Sequence, residues 1–218
     1  LKVDKIDLPI IYEDDDCVVI AKPTGILSHS KGAFNKEGTV ASWLSDKLKN
    51  MPGDRAGIVH RLDRGTSGVM VCAKTLEAQT WLQKQFSSRN VKKTYIAVIK
   101  GQLKENEAVI DMPIERHPKK PQTFRVGING KSALTGYKVL KTNSKYSLVE
   151  LKPTTGRTHQ LRVHLATLGH PIVGDAFYGG QKADRLFLHA TSLELTLPSR
   201  SRQLFKAKLP AAFNNIMD

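Results

Sequence analysis

Short apolar runs punctuated by Gly, Pro and charge divide the 218-residue chain into many small elements. "IIYEDDDCVVIAKPTG" predicts two strands around an acidic turn, ended by Pro23 and Gly25. In "TVASWLSDKLKNM", Val40, Trp43, Leu44, Lys47 and Leu48 recur at helical spacing behind Thr39, a competent N-cap. "SGVMVCAKT" predicts a buried strand. "TLEAQTWLQKQFSS" predicts a second helix with Ala78, Trp81, Leu82 and Phe86 on one stripe. "KKTYIAVIKG" alternates as a strand and stops at Gly101. "SALTGYKVLKT" and "YSLVELKP" form a predicted hairpin around Asn143 and Ser144. "THQLRVHLATLG" predicts a third helix, closed by Gly169 and Pro171, with Leu161, Leu165 and Leu168 as its buried stripe. "SLELTLPS" and "QLFKAKLP" follow as late strands, and Pro210 opens a last short helix.

Helices and strands intermix without regular alternation, and several strand pairs are hairpin-like. That pattern predicts an α+β fold with a mixed, largely antiparallel sheet flanked by helices, rather than a doubly wound parallel sheet. The length suits one domain spanning residues 1–218. The stretch from Lys104 to Lys131, rich in charge and breakers, is expected to be an exposed basic excursion and not a linker.

Charge narrows the function classes. Thirty-four Lys and Arg against twenty Asp and Glu give +14 at pH 7. Such an excess favours a polyanionic partner, because each neutralised phosphate releases condensed counterions. Cys17 and Cys72 each sit in an apolar strand-like run and read as buried free thiols in a reducing compartment, too few for a zinc site. No stretch approaches the roughly 18 apolar residues of a membrane span, and no signal-peptide pattern opens the chain. The first residue is Leu1.

Candidate chemistry falls in three patches: "AKPTGILSHS", "GIVHRLDRGTSGVMV" and "TTGRTHQLRVHLATLGHPIVGDAFYGG". In the second, Asp63 lies between Arg61 and Arg64 in a loop that leads into a buried strand. It is either a turn-capping or surface acid, or a nucleophile offered to an anionic polymer. In the third, Arg162 falls at the edge of the leucine stripe, where it either snorkels to water or takes a carboxylate through two parallel hydrogen bonds. Asp63 and Asp175 are the candidate partners. His159, His164 and His170 are spaced five and six apart, which does not place them on one helical face and argues against a metal. Asp63 with Asp175 could also form a glycosidase-like acid pair.

The same patches resemble the RluA-type pseudouridine synthases. "HRLDRGTSG" is similar to the family's H-R-L-D-x-x-T-S-G signature, and "AKPTGILSH" to its K-P-x-G-x-x-x-H segment. "KKTYIAVIKG" is similar to its K-x-Y-x-A-x-V/I-x-G strand, "GRTHQLRVHLATLGHPIVGDAFYG" to its G-R-T-H-Q-I-R block, and "LFLHA" to its L-x-L-H-A. The five motifs occur in family order from about residue 10 to residue 209. Ser30 follows His29 where many relatives have proline.

The resemblance implies the pseudouridine synthase fold with a central catalytic cleft, and isomerisation of uridine in RNA to its C5-linked isomer without metal or organic cofactor. It implies Asp63 as the catalytic acid, Tyr95 as the stacking platform for the target base, and Arg162 as the partner of Asp63. Arg61 is implied to hold the extruded nucleotide and Leu188 to wall the pocket, with Thr66, His60 and Lys22 as further substrate contacts. Lys22, Lys92, Lys93, Lys119, Lys120, Arg116 and Arg125 are candidate phosphate contacts. The base must leave its stack, at roughly a few kcal/mol, and a tyrosine face can recover on the order of 1–3 kcal/mol. A partly buried carboxylate tends to hold its proton, and a paired guanidinium opposes that tendency. The expected partner is RNA, ribosomal ahead of transfer RNA, with no membrane and no metal, for a monomer in the cytoplasm. No separate N-terminal RNA-binding module is visible, so the catalytic domain is expected to contact RNA itself. The competing readings are a catalytically inactive RNA-binding module of the same fold, and a hydrolase using Asp63 and Asp175.

Overall fold

The structure is a computed structural model, and it describes residues 4–30, 36–53 and 55–218. By internal contacts the chain forms two compact units. The first comprises residues 1–92 and 190–208, the second residues 93–189 and 209–218.

In the first unit, β1 (Ile10–Glu13) and β2 (Cys17–Lys22) flank the acidic turn as predicted. Asp14 makes that turn: its Oδ1 accepts the amides of Asp16 and Cys17, at 2.9 and 2.7 Å. The sheet continues through β3 (Ser67–Ala73) to β10 (Leu188–Thr196), and β11 (Arg202–Lys206) lies on the other edge of β10. The β1–β2, β2–β3 and β10–β11 pairings are antiparallel. Every residue of β3 is buried, which explains its unbroken apolar run. Helix α2 (Leu76–Ser87) is capped by Thr75 and packs Ala78 and Leu82 against Val69 and Val71, with Trp81 and Phe86 at the margin. Helix α1 (Val40–Leu44) is capped by Thr39 in a reciprocal box with Ser42, but it is shorter than the apolar spacing predicts. From Ser45 it tightens into a 3-10 turn (Ser45–Lys47), and Leu48 is already extended. Cys17 and Cys72 are free and buried, and burial pushes the Cys72 thiol up to about 12.

The second unit is an antiparallel sheet in the order β4 (Lys92–Lys100), β9 (Tyr146–Pro153), β8 (Leu134–Thr142), β5 (Glu107–Asp111). The predicted β8–β9 hairpin is present, and the Asn143 side chain accepts the Lys145 and Tyr146 amides at its turn. Helix α3 (Gln160–Thr167) packs Leu161 and Leu165 on this sheet, while the short α4 (Ala212–Asn215) buries Phe213. Leu168 departs from the expected stripe: it is the exposed C-cap, one residue past the last helical turn.

The basic excursion is more structured than its composition suggests. It contains β5 and a two-stranded sheet of β6 (Ile114–Arg116) and β7 (Phe124–Val126). Ile114 packs with Ala133 and Val163, with Phe124 and Val126 against them, so a few apolar residues anchor a charged hairpin. Its tip, including Lys119 and Lys120, is exposed.

Candidate active site

Asp63 occupies the first position of a turn in which the Thr66 amide donates to the Asp63 carbonyl at 3.0 Å. The turn delivers the chain directly into β3, and the acid is half-buried. The loop is held from the side by the segment after β2. The Ser28 hydroxyl donates to the Leu62 carbonyl (2.7 Å) and accepts from the Leu62 amide (3.1 Å), both groups being buried. Thr24 donates to the Gly65 carbonyl (2.8 Å), and the Gly25 amide donates to the Arg64 carbonyl (2.8 Å). Gly25 sits at φ +87, which glycine allows without a Cβ penalty. The two motifs that are separate in sequence are one hydrogen-bonded object in space.

Lys22 belongs to that object rather than to the surface. It is 1% exposed, and its Nζ donates to the carbonyls of Pro23 (2.9 Å), Ile26 (2.7 Å) and, more distantly, Arg64 (3.4 Å). The expectation that Lys22 meets a phosphate is corrected: a buried ammonium needs acceptors, and main-chain carbonyls supply them. His60 is likewise engaged. Its Nε2 accepts the Val71 amide at 3.0 Å, and its ring stacks on Phe86 with centroids 4.4 Å apart. It latches the base of the loop to β3. Thr66, 3% exposed, and Leu188, 4% exposed, are packed rather than presented. Of the five expected substrate contacts, Arg61 alone is exposed.

The turn also depends on a close approach. A Cβ on Gly68 (φ +120) would lie 2.1 Å from the Ala190 carbonyl oxygen and 2.6 Å from its nitrogen, and backbone cannot move aside as a side chain can.

The other two expected catalytic residues lie in the second unit. Tyr95 is half-buried on β4 opposite Leu151, with its ring against the core beside it. Arg162 is buried on α3, not at a solvent edge as its place on the stripe suggested. Its Nε and Nη2 donate to Asp175 Oδ2 and Oδ1, each at 2.8 Å. Asp175 is therefore the bidentate partner seen for this arginine, and its Oδ1 also accepts the Phe177 amide at 3.2 Å. The guanidinium lies 5.5 Å from the Phe177 ring centre and 5.1 Å from that of Tyr178. With Asp175 1% exposed and both oxygens engaged, the glycosidase-like acid pair lacks a working second carboxylate.

The remaining motif residues of α3 are scaffolding that periodicity could not reveal. Gln160 accepts from the Thr155 hydroxyl (2.7 Å) and the Arg157 amide (3.0 Å), and donates to the Leu134 carbonyl (3.0 Å) and Thr135 hydroxyl (2.9 Å). His164 continues the chain, its ring nitrogens 3.0 Å from Thr135 Oγ1 and 2.9 Å from the Met112 carbonyl. Burial lowers its pKa, keeping it neutral. His159, in a left-handed conformation at φ +55, reaches the Tyr178 hydroxyl at 2.7 Å. His170 lies 2.9 Å from the Lys100 carbonyl. Among the described residues no group of three or more His, Cys, Asp or Glu is placed to hold a metal ion, and no helix is long and apolar enough to cross a membrane.

The expected phosphate contacts divide. Lys92 lies 3.6 Å from Glu194, Arg125 is paired with Glu115, and Arg116 donates to the Pro121 carbonyl beneath the Phe124 ring. Lys93 is half-buried, with its Nζ on the Thr155 carbonyl at 3.0 Å, and burial draws its pKa down to about 8.

The chain is similar in sequence and fold to known proteins. The sequence profile of the family described as RNA pseudouridylate synthase matches residues 16–167. The chain is 42% identical over 224 residues to the ribosomal large subunit pseudouridine synthase D of Nitrosomonas europaea, covering 96% of this chain and 64% of that protein. It is 40% identical to the protein of the same name from Borreliella burgdorferi, covering 98% and 68%. The chain thus spans about two thirds of the length of these relatives. Among solved structures, human RNA pseudouridylate synthase domain containing 1 superposes with a TM-score of 0.78 at 30% identity, over 93% of this chain and 83% of that one. Human RNA pseudouridylate synthase domain containing 4 gives 0.75 at 30% identity, over 94% and 90%. The largely antiparallel sheet is that of these synthases, and on motif, sequence and fold alike the chain belongs to the RNA pseudouridylate synthase family.

Proposed function

We propose that this protein isomerises uridine to pseudouridine in RNA, with Asp63 as the catalytic carboxylate. One observation carries the reading. The family's signature aspartate sits half-buried in a turn that the Lys22–Ser28 segment grips through main-chain hydrogen bonds, a rigidity that a merely screening surface acid would not need.

In this reading the target base leaves its stack, and Asp63 acts at the junction of sugar and base. The N1–C1′ bond breaks, the base turns, and a C5–C1′ bond forms; the C5 proton is then lost and N1 takes up a proton. Substrate and product are isomers with no net redox change, so the reaction consumes no oxidant or reductant, and it is assigned to side chains alone. Tyr95 supplies the stacking face. Arg61, exposed beside the turn, holds the displaced nucleotide. Arg162, locked to Asp175, is a positioning residue that fixes α3 and the loop bearing Phe177. The net charge of +14 attracts the polyanion. The relatives' names point to ribosomal RNA of the large subunit, ahead of transfer RNA, as the substrate class. We take the working form to be a cytoplasmic monomer.

The test is to incubate unmodified large-subunit ribosomal RNA with the protein and map pseudouridine chemically. Discrete sites are expected with the wild type and none with Asp63→Asn, which keeps its RNA affinity. Residual turnover above about a thousandth of wild type in Asp63→Asn would remove the nucleophile assignment. Binding without any modification would return the inactive RNA-binding module, and release of free uracil would return a hydrolase.

A further inference from the structure

Away from the Asp63 turn, the first unit carries an open cleft of about 560 Å3 between the end of α2 and the β10–β11 hairpin. Trp81 and Gln85 come from α2, Arg89 and Lys92 from the segment after it, and Arg200 and Arg202 from the hairpin. Four cations therefore face one region. Glu194 is the acid among them, 2.7 Å from Arg202 and 3.6 Å from Lys92. Among the described residues Arg89 and Arg200 have no carboxylate within ion-pair distance. Both are exposed, and both occupy left-handed backbone conformations, at φ +59 and +68, where glycine is the unstrained residue.

Two further features point to a ligand. The Arg200 guanidinium lies 3.9 Å from the centre of the Trp81 ring, a stacking distance, and the indole is held in place by its N–H on the Thr196 carbonyl at 2.8 Å. Beside it, Gln85 is only 8% exposed, and its side-chain oxygen is buried without a hydrogen-bond partner. A buried amide oxygen left unpaired is costly, on the order of 1–3 kcal/mol, and because Gln85 lines the cleft, a small turn of its side chain would offer that oxygen to an N–H or O–H donor bound there.

We propose that this cleft binds one nucleotide of the RNA strand outside the isomerisation site. The phosphate lies between Arg89, Lys92 and Arg200. The base packs on the Arg200–Trp81 stack and donates an N–H from its edge to Gln85. Positive charge, a flat π-surface and one fixed acceptor together match a nucleoside phosphate, and no one of them does so alone. The inference rests on RNA being the partner. It concerns how the strand is gripped, not how uridine is converted.

The test uses the whole chain and a labelled twelve-residue oligoadenylate, which contains no uridine to isomerise. Trp43→Phe leaves Trp81 as the sole indole. Oligoadenylate is expected to change Trp81 emission. Arg89→Gln/Arg200→Gln is expected to weaken binding at least tenfold and to flatten the plot of log affinity against log salt by about 1.4, the value for two single-strand phosphate contacts. Gln85→Leu is expected to weaken binding severalfold without loss of thermal stability. Adenosine monophosphate is expected to bind far more weakly than the oligomer. Oligoadenylate affinity that is indifferent to the paired arginine substitution, or Trp81 emission that is indifferent to the oligomer, would overturn the proposal. So would adenosine monophosphate binding as tightly as the oligomer, since the cleft would then hold a free nucleotide. Pseudouridine formation in the same preparations reports separately on the function proposed above: its failure with the cleft intact strikes that reading, and the reverse strikes only this one.

Discussion

Arg162 and Asp175 meet through two parallel 2.8 Å hydrogen bonds inside the second unit, both side chains almost completely withdrawn from solvent. The pair joins α3 to the loop that carries Phe177 and Tyr178. Removing Asp175 takes a bidentate carboxylate away from a buried guanidinium. Asp175→Ala is expected to cost about 3–5 kcal/mol in urea unfolding. Arg162→Met/Asp175→Leu is expected to regain most of that stability while remaining inactive. If Asp175→Ala instead unfolds like wild type, the pair is not what holds the loop.

Ser28 grips Leu62 by donating to its carbonyl and accepting from its amide. Ser28→Ala strands two buried main-chain groups, at about 1–3 kcal/mol. Because Leu62 precedes Asp63 directly, kcat for pseudouridine formation is expected to fall by about tenfold or more while RNA affinity is retained, through loss of positioning. Ser28→Thr, which keeps the hydroxyl, should recover part of the rate. Equal loss in both variants would show that fit matters there rather than the hydrogen bonds.

Gly68 has no room for a side chain against the Ala190 backbone. Gly68→Ala combines a left-handed strain with a backbone clash and is expected to destabilise by roughly 2–4 kcal/mol. Gly179, also at positive φ but with open space where a Cβ would be, serves as the control. Gly179→Ala should cost only the conformational part, about 1–2 kcal/mol. Thermal melts of the two variants side by side test the close approach to Ala190: equal losses would contradict it.

Lys93 is expected to lose its proton near pH 8, against an ordinary lysine value of 10.5, because burial disfavours its charged form. Between those values the unfolded chain binds a proton that the folded one has released, so stability rises with pH across that window and is flat below it. A 13C-labelled lysine titration should place one ε-carbon transition near 8. Lys93→Met should abolish that transition and the matching rise in unfolding free energy from pH 8 to 10. A Lys93 signal that titrates with the bulk would contradict its desolvation.

Much of the molecule was readable from the chain. Apolar spacing and capping residues located α2, α3 and every strand of the main pairings except β5, which lay inside the stretch expected to be an exposed excursion, because each located segment buries one face and the period of burial is written into the residue order. Helix α1 was overestimated, since periodicity does not say where a helix stops when no glycine or proline interrupts it, and Leu168 was expected on the buried stripe although the helix already ends at Thr167 and leaves it as the exposed C-cap. The β6–β7 hairpin was missed because three apolar anchors are too few to overcome the signal of the surrounding charge. Motif order identified the family and singled out Asp63, Tyr95 and Arg162.

What the residue order could not decide was which polar groups face solvent. Lys22 and Asp175 look like any other charged side chains in sequence, yet the fold seals them against carbonyls and a guanidinium, while Arg89 and Arg200, equally ordinary in sequence, stand open around a tryptophan. Periodicity reports on apolar burial because water expels nonpolar surface wherever it lies along the chain. A buried charge is tolerated only if partners distant in sequence arrive to satisfy it, and that is a property of the tertiary structure alone.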